Sequence, residues 1–76
     1  MHKVLISGYY GFGNIGDESI LAALVQNLRF AERDIDITVL SANPPLTESR
    51  HGVTAVDRKK FFEIYLAIKN CDLFIS

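Results

Sequence analysis

The sequence predicts an α/β fold, a parallel sheet built from Rossmann-like βαβ units. Three observations lead there. Short apolar runs rich in β-branched residues alternate with longer stretches of helical periodicity. Gly, Pro and Asn punctuate the junctions. The first apolar run feeds directly into a glycine-rich loop, "GYYGFGNIGDES" at residues 8–19, and then into a helical pattern.

Taken in order, "KVLIS" at 3–7 reads as a buried strand closed by glycine. A loop is expected over 8–16. A helix then opens near Asp17, which has the side chain to cap it, and Ile20, Leu21, Leu24, Val25 and Leu28 form one apolar face. That helix should stop near "AERD". "DITVLS" at 36–41 is the second strand, broken by "NPP". Thr47 to His51 has room for one or two helical turns, with Gly52 as the stop. "VTAV" at 53–56 is a short third strand. Residues 59–69 carry Phe61, Phe62, Tyr65, Leu66 and Ile68, an amphipathic helix whose apolar side is expected in the core. "DLFIS" is the fourth strand. Such alternation implies a parallel sheet with right-handed crossovers, and the strand order expected is 3-2-1-4, half of a doubly wound fold.

With 76 residues, net charge −1 and 49% hydrophobic residues, the composition is that of an ordinary globular protein. The charge offers nothing to nucleic acid. No apolar run is long enough to span a bilayer, and "MHKVLISG" makes a poor signal peptide. The single Cys71 has no internal disulfide partner and reads as an inert core thiol, which fits a reducing compartment. His2 and His51 are isolated and read as surface residues, without metal-ligand spacing. Arg58, Lys59 and Lys60 read as a solvated basic face, with an anionic lipid head group as the functional alternative. The chain is short for an α/β unit and ends on an apolar strand. It is therefore expected to be a partial N-terminal domain of a longer protein.

Gly11, Gly13 and Gly16 spell the dinucleotide fingerprint G-x-G-x-x-G in the right context. Two features oppose that use. The second strand ends "VLSANPP", with no carboxylate to hold a ribose. Asp17 and Glu18 stand where a pyrophosphate would lie, and they repel it. No Gly-Lys-Ser/Thr follows, so the loop is not a P-loop either. The loop thus brings a carboxylate to the carboxyl end of the first strand, where open α/β sheets bind ligands. The three glycines allow positive φ and close approach. Tyr9, Tyr10 and Phe12 offer apolar walls, and Asn14 offers a donor and an acceptor. The bland alternatives are that Asp17 only caps the helix, that Glu18 only complements its dipole, and that the tyrosines partly pack the loop.

The stretch "ISGYYGFGNIGDESILAAL" resembles the N-terminus of the polysaccharide pyruvyltransferases, particularly the bacterial cell-surface-anchoring type. In that family a strand leads into G-Y-x-G-x-x-N-x-G-D-E, matched here by Gly8, Tyr9, Gly11, Asn14, Gly16, Asp17 and Glu18. "ITVLSANP" and "HGVTAVDR" also look like family segments, so the likeness runs along essentially the whole chain. It implies transfer of pyruvate, as a cyclic ketal, from phosphoenolpyruvate to a sugar of a lipid-linked cell-wall polysaccharide precursor. It also implies a two-domain glycosyltransferase-B-like architecture, with donor-binding arginines and a histidine in a C-terminal half. No cofactor or metal is implied, and phosphoenolpyruvate is a donor substrate. The expected location is the cytoplasm, at the inner face of the cell membrane. On this reading Asp17 is the catalytic residue, as base or acceptor-orienting group, because a helix N-terminus favours an ionised carboxylate. Tyr9, Gly11, Asn14, Gly16 and Glu18 are the substrate-binding residues. The competing readings are a nucleotide-binding oxidoreductase domain, another glycosyltransferase-B enzyme that binds nucleotide sugars, and a non-catalytic remnant or sugar-binding module.

Overall fold

The computed structural model describes residues 2–76, with the side chain of Tyr9 outside the described residues. The elements are β1 (His2–Tyr10), α1 (Ile15–Ala31), β2 (Ile35–Ser41), α2 (Pro44–His51), β3 (Thr54–Asp57), α3 (Phe61–Asn70) and β4 (Leu73–Ile75). All strand pairs are parallel and their order is β3-β2-β1-β4, the order that the alternating pattern predicts. The order reverses between β1 and β4. Ligands of open α/β sheets bind outside the carboxyl ends of the strands at such a reversal.

One face of the sheet carries the core. Val4, Ile6, Ile37 and Val39 pack with Leu21 and Val25 of α1, and Tyr10 and Val53 complete the cluster. Leu24 and Leu28 pack at its margin, whereas Ile20, expected on the same face, is exposed. The residues of one α1 stripe thus meet alternate residues of β1 and β2, as the two periodicities require.

Two boundaries differ from expectation at the functional edge. β1 runs on through Tyr10, so the loop shrinks to Gly11–Asn14. From Ile6 to Tyr10 β1 advances four residues while β2 advances two, from Val39 to Ser41. This bulge bends the strand end. Gly8 lies within it, and a Cβ there would stand 2.6 Å from the Tyr10 ring. α2 begins three residues earlier than expected. Asn43 accepts a hydrogen bond from the Leu46 N–H, and proline fits the first helical turn, which has no use for its missing N–H. Gly52 ends α2 in the left-handed conformation, as expected.

α3 corrects a further expectation. Phe61, Phe62, Tyr65, Leu66 and Ile68 are exposed, and no residue of the helix is buried. α3 lies against β1, and its only half-buried residues are Ile64 and Ala67. No second helix stands beside it among the described residues, so its outer apolar side has nothing to pack against. Cys71 is only half-buried; its thiol donates to the Ile68 carbonyl at the end of α3. No helix among the described residues is long and apolar enough to cross a membrane.

Candidate functional site

The carboxyl edge of the sheet is built by three connections: Gly11–Asn14 after β1, Ala42–Asn43 after β2, and Arg58–Lys60 after β3. Backbone hydrogen bonds tie them together. The Ala42 N–H donates to the Tyr10 carbonyl and the Arg58 N–H to the Ser41 carbonyl, each at 3.0 Å. Ser41 and Thr47, both buried, share a 2.7 Å hydroxyl contact, and the Asn43 N–H donates to the Ser41 Oγ.

Asn14, not Asp17, caps α1. Its Oδ1 accepts from the Gly16 and Asp17 N–H groups at 3.0 and 3.3 Å. The helix therefore starts at Ile15, and Asp17 falls in its first turn with its carboxylate released from capping. That carboxylate is half-buried and makes no hydrogen bond or ion pair among the described residues. Gly11 and Gly13 take the positive φ the sequence suggests, +86° and +80°. Gly16 does not; it is a helical residue within α1. Gly11 also admits a close approach. A Cβ there would collide with the Ser41 Oγ and stand 2.6 Å from the Asn43 nitrogen. The expectation for the Tyr9 side chain lies outside the described residues. Tyr10 is a core residue. Burial pushes its phenol up, and the charges of Asp17 and then Glu18 push it further.

Glu18 is more than a dipole complement. It is buried, and its carboxylate accepts from the Gly11 N–H at 3.0 Å and contacts His51 Nε2 at 2.9 Å, with Arg50 at 3.8 Å. Burial opposes its charge. The hydrogen bonds from His51 and Gly11 and the charges of His51 and Arg50 outweigh that and hold the carboxyl below its ordinary range. His51, expected at the surface, has a side chain only 4% exposed in this pair. No local pattern announces a partner 33 residues away. Arg29 adds a second clamp from the other end of α1, donating to the carbonyls of His51 and Gly52.

Arg58 also departs from the solvated face expected of it. Its guanidinium donates to the Gly8 carbonyl at 3.3 Å and lies 5.2 Å from the centre of the Phe12 ring. His2 is exposed, as expected, beside Glu32.

Three of the amides at the loop and the start of α1 are thus already used. Gly11 N–H goes to Glu18, and Gly16 and Asp17 N–H go to Asn14. A pyrophosphate drawn to those three amides would have to displace two side chains, one of them an anion. The first turn of α1 adds an acid, Asp17, that makes no hydrogen bond or ion pair among the described residues. No family model, curated protein or solved structure matches this chain.

Proposed function

We propose that this chain forms the acceptor side of a polysaccharide pyruvyltransferase with a glycosyltransferase-B-like plan. The observation that supports the reading is the internal use of the Gly11, Gly16 and Asp17 amides, together with an Asp17 carboxylate that makes no hydrogen bond or ion pair among the described residues. A loop arranged this way disfavours phosphate and suits a neutral polyol. The resemblance of "GYYGFGNIGDE" to the family's N-terminal motif supplies the reaction class.

The chemistry gives Asp17 a defined task. Its carboxylate takes the proton of one acceptor hydroxyl as that oxygen bonds to C2 of phosphoenolpyruvate, while C3 gains a proton from solvent and becomes the methyl group, so that the two hydroxyl protons released balance the one on C3 and the one that leaves with phosphate. The bond from C2 to the phosphate oxygen then breaks and phosphate leaves. The second hydroxyl bonds to the same carbon and loses its proton, closing the ketal. The donor is held by a second half in the resembled architecture, so these residues are assigned the sugar. Asn14 presents its amide nitrogen, Gly11 and Gly13 let the ring approach the backbone, and Glu18 positions Gly11 through the hydrogen bond described above. Tyr9 is assigned to sugar binding on the resemblance alone. The acceptor is a lipid-linked saccharide, which places the reaction at the cytoplasmic face of the membrane.

Phosphate release from phosphoenolpyruvate, dependent on a lipid-linked amino-sugar acceptor, tests the reading on the complete reading frame. Asp17→Asn is expected to abolish it with folding intact. Wild-type turnover in that variant removes Asp17 from the chemistry. Binding of a nicotinamide dinucleotide or a nucleotide sugar at the loop, without acceptor-dependent phosphate release, overturns the whole reading.

A further inference from the structure

An anionic ligand group at this edge finds charged donors on the wall opposite the glycine loop. Between the loop and the turn after β3 lies an open cavity of about 360 Å³, lined by Phe12, Ala42, Asp57, Arg58 and Lys59. That volume is within the range of small-molecule sites.

Its walls are held. The Lys59 N–H donates to Asp57 Oδ1 at 2.9 Å and the Lys60 N–H to the Asp57 carbonyl at 3.0 Å, which fixes the turn. Arg58 is anchored on the Gly8 carbonyl and over Phe12, so its guanidinium is placed before any ligand arrives. Lys60 pairs with Glu63, but the Lys59 ammonium makes no ion pair among the described residues. The Asp57 carboxylate is engaged by the turn it caps. The lining carries Arg58 and Lys59 against one carboxylate, Asp57, so its formal charge is positive. Phe12, 59% exposed at the same cavity, presents an aromatic surface that the core does not use.

We propose that this cavity binds the phosphate-bearing end of a phosphorylated sugar, with Lys59 and Arg58 on the phosphate and Phe12 against the apolar C–H face of the ring. The inference deepens the sugar-acceptor reading, on which it rests, by placing the phosphate across the edge from Asp17. A phosphate here meets charge-assisted donors, whereas at the loop it would meet Glu18.

Amide chemical shifts of the 76-residue chain, titrated with glucose 1-phosphate, inorganic phosphate and glucose, test it. Glucose 1-phosphate should give saturable shifts at Phe12 and residues 57–60. Inorganic phosphate should bind the same residues more weakly, and glucose should give no shift at the same concentration. Lys59→Gln should weaken binding about tenfold, the value of one charge-assisted hydrogen bond, and Lys59→Arg should restore it. Phe12→Ala should erase the preference for the sugar phosphate over phosphate. Shifts centred on residues 11–17 would overturn the proposal by putting the phosphate on the loop. Equal affinity for the two phosphates would overturn its sugar half, and absence of saturable shifts would overturn it entirely. Pyruvyl transfer plays no part in this readout. Phosphate binding without turnover therefore defeats only the proposed function, and turnover without phosphate binding defeats only this inference.

Discussion

Replacing Glu18 by Gln keeps the shape of a buried side chain and removes its charge. The wild-type carboxylate receives two short contacts, from the Gly11 N–H at 3.0 Å and His51 Nε2 at 2.9 Å. A hydrogen bond to a charged group contributes about 1.5–3 kcal/mol and a neutral one about 0.5–1.5, so each contact loses roughly 1 kcal/mol. Arg50, at 3.8 Å and half exposed, adds only a few tenths. Relief of the burial penalty works the other way. The carboxyl is nonetheless held below its ordinary range, so the contacts outweigh burial in the folded chain. The net expectation is a loss of about 2 kcal/mol. A chain of this length has about 4–11 kcal/mol in total, so the loss is a large fraction. In thermal unfolding followed by circular dichroism it lowers Tm by about 8–16 °C.

The pH dependence gives an independent check. A carboxyl depressed in the folded state stabilises it fully above the ordinary value of 4.5, and that contribution fades as pH falls through the lower folded value. The gap between wild type and Glu18→Gln should therefore narrow as pH falls below 4.5. Asp17→Asn, altering the neighbouring carboxylate that has no hydrogen-bond partner among the described residues, should stay within about 0.5 kcal/mol of wild type. A Tm for Glu18→Gln within about 2 °C of wild type, at neutral pH, refutes the claim that this pair pins the loop.

The two loop glycines separate a steric from a conformational demand. Gly11→Ala should cost about 3 kcal/mol or more, because the new Cβ meets the Asn43 backbone at 2.6 Å and φ is +86°. Gly13→Ala has open space around it and should cost only the positive φ, about 1–2 kcal/mol, in urea unfolding. Asn14→Ala removes the cap of α1 and should cost about 1 kcal/mol, with Asn14→Asp close to neutral. Near-ultraviolet absorbance titration should show one tyrosine ionising above the ordinary 10.0, and Tyr10→Phe should remove it. The raised Tyr10 contributes stability that is complete below pH 10.0 and is lost as pH climbs through its folded value.

Residue order carried the architecture because periodicity is local. The alternation of apolar runs with the stripe Leu21, Leu24, Val25 and Leu28 sets the βαβ pattern, and the strand order is the one a doubly wound half takes. Caps were half legible. Asn14 and Asn43 each precede a helix, yet Asn14 was read as a ligand group and the "NPP" segment only as a break, because Asp17 and Thr47 are plausible starts on propensity alone. The exposed side of α3 was illegible for another reason. Amphipathicity says that a helix has an apolar face and not whether anything covers it.

The site depends on a contact that no spacing rule encodes. Three glycines between a strand and a helix predict donors for phosphate, and the pattern is present. What decides its use is which groups take those donors, and that follows from the geometry of α2. Its last turn brings His51 and Arg50 to Glu18, and their charges allow a carboxylate to remain ionised and buried against the Gly11 amide. With that carboxylate in place, an anion gains little at the loop and more at Lys59 and Arg58 across the edge. Glycine loops of this shape should therefore be judged by the side chains that close on them, and a buried acid one residue after G-x-G-x-x-G-D argues against phosphate there.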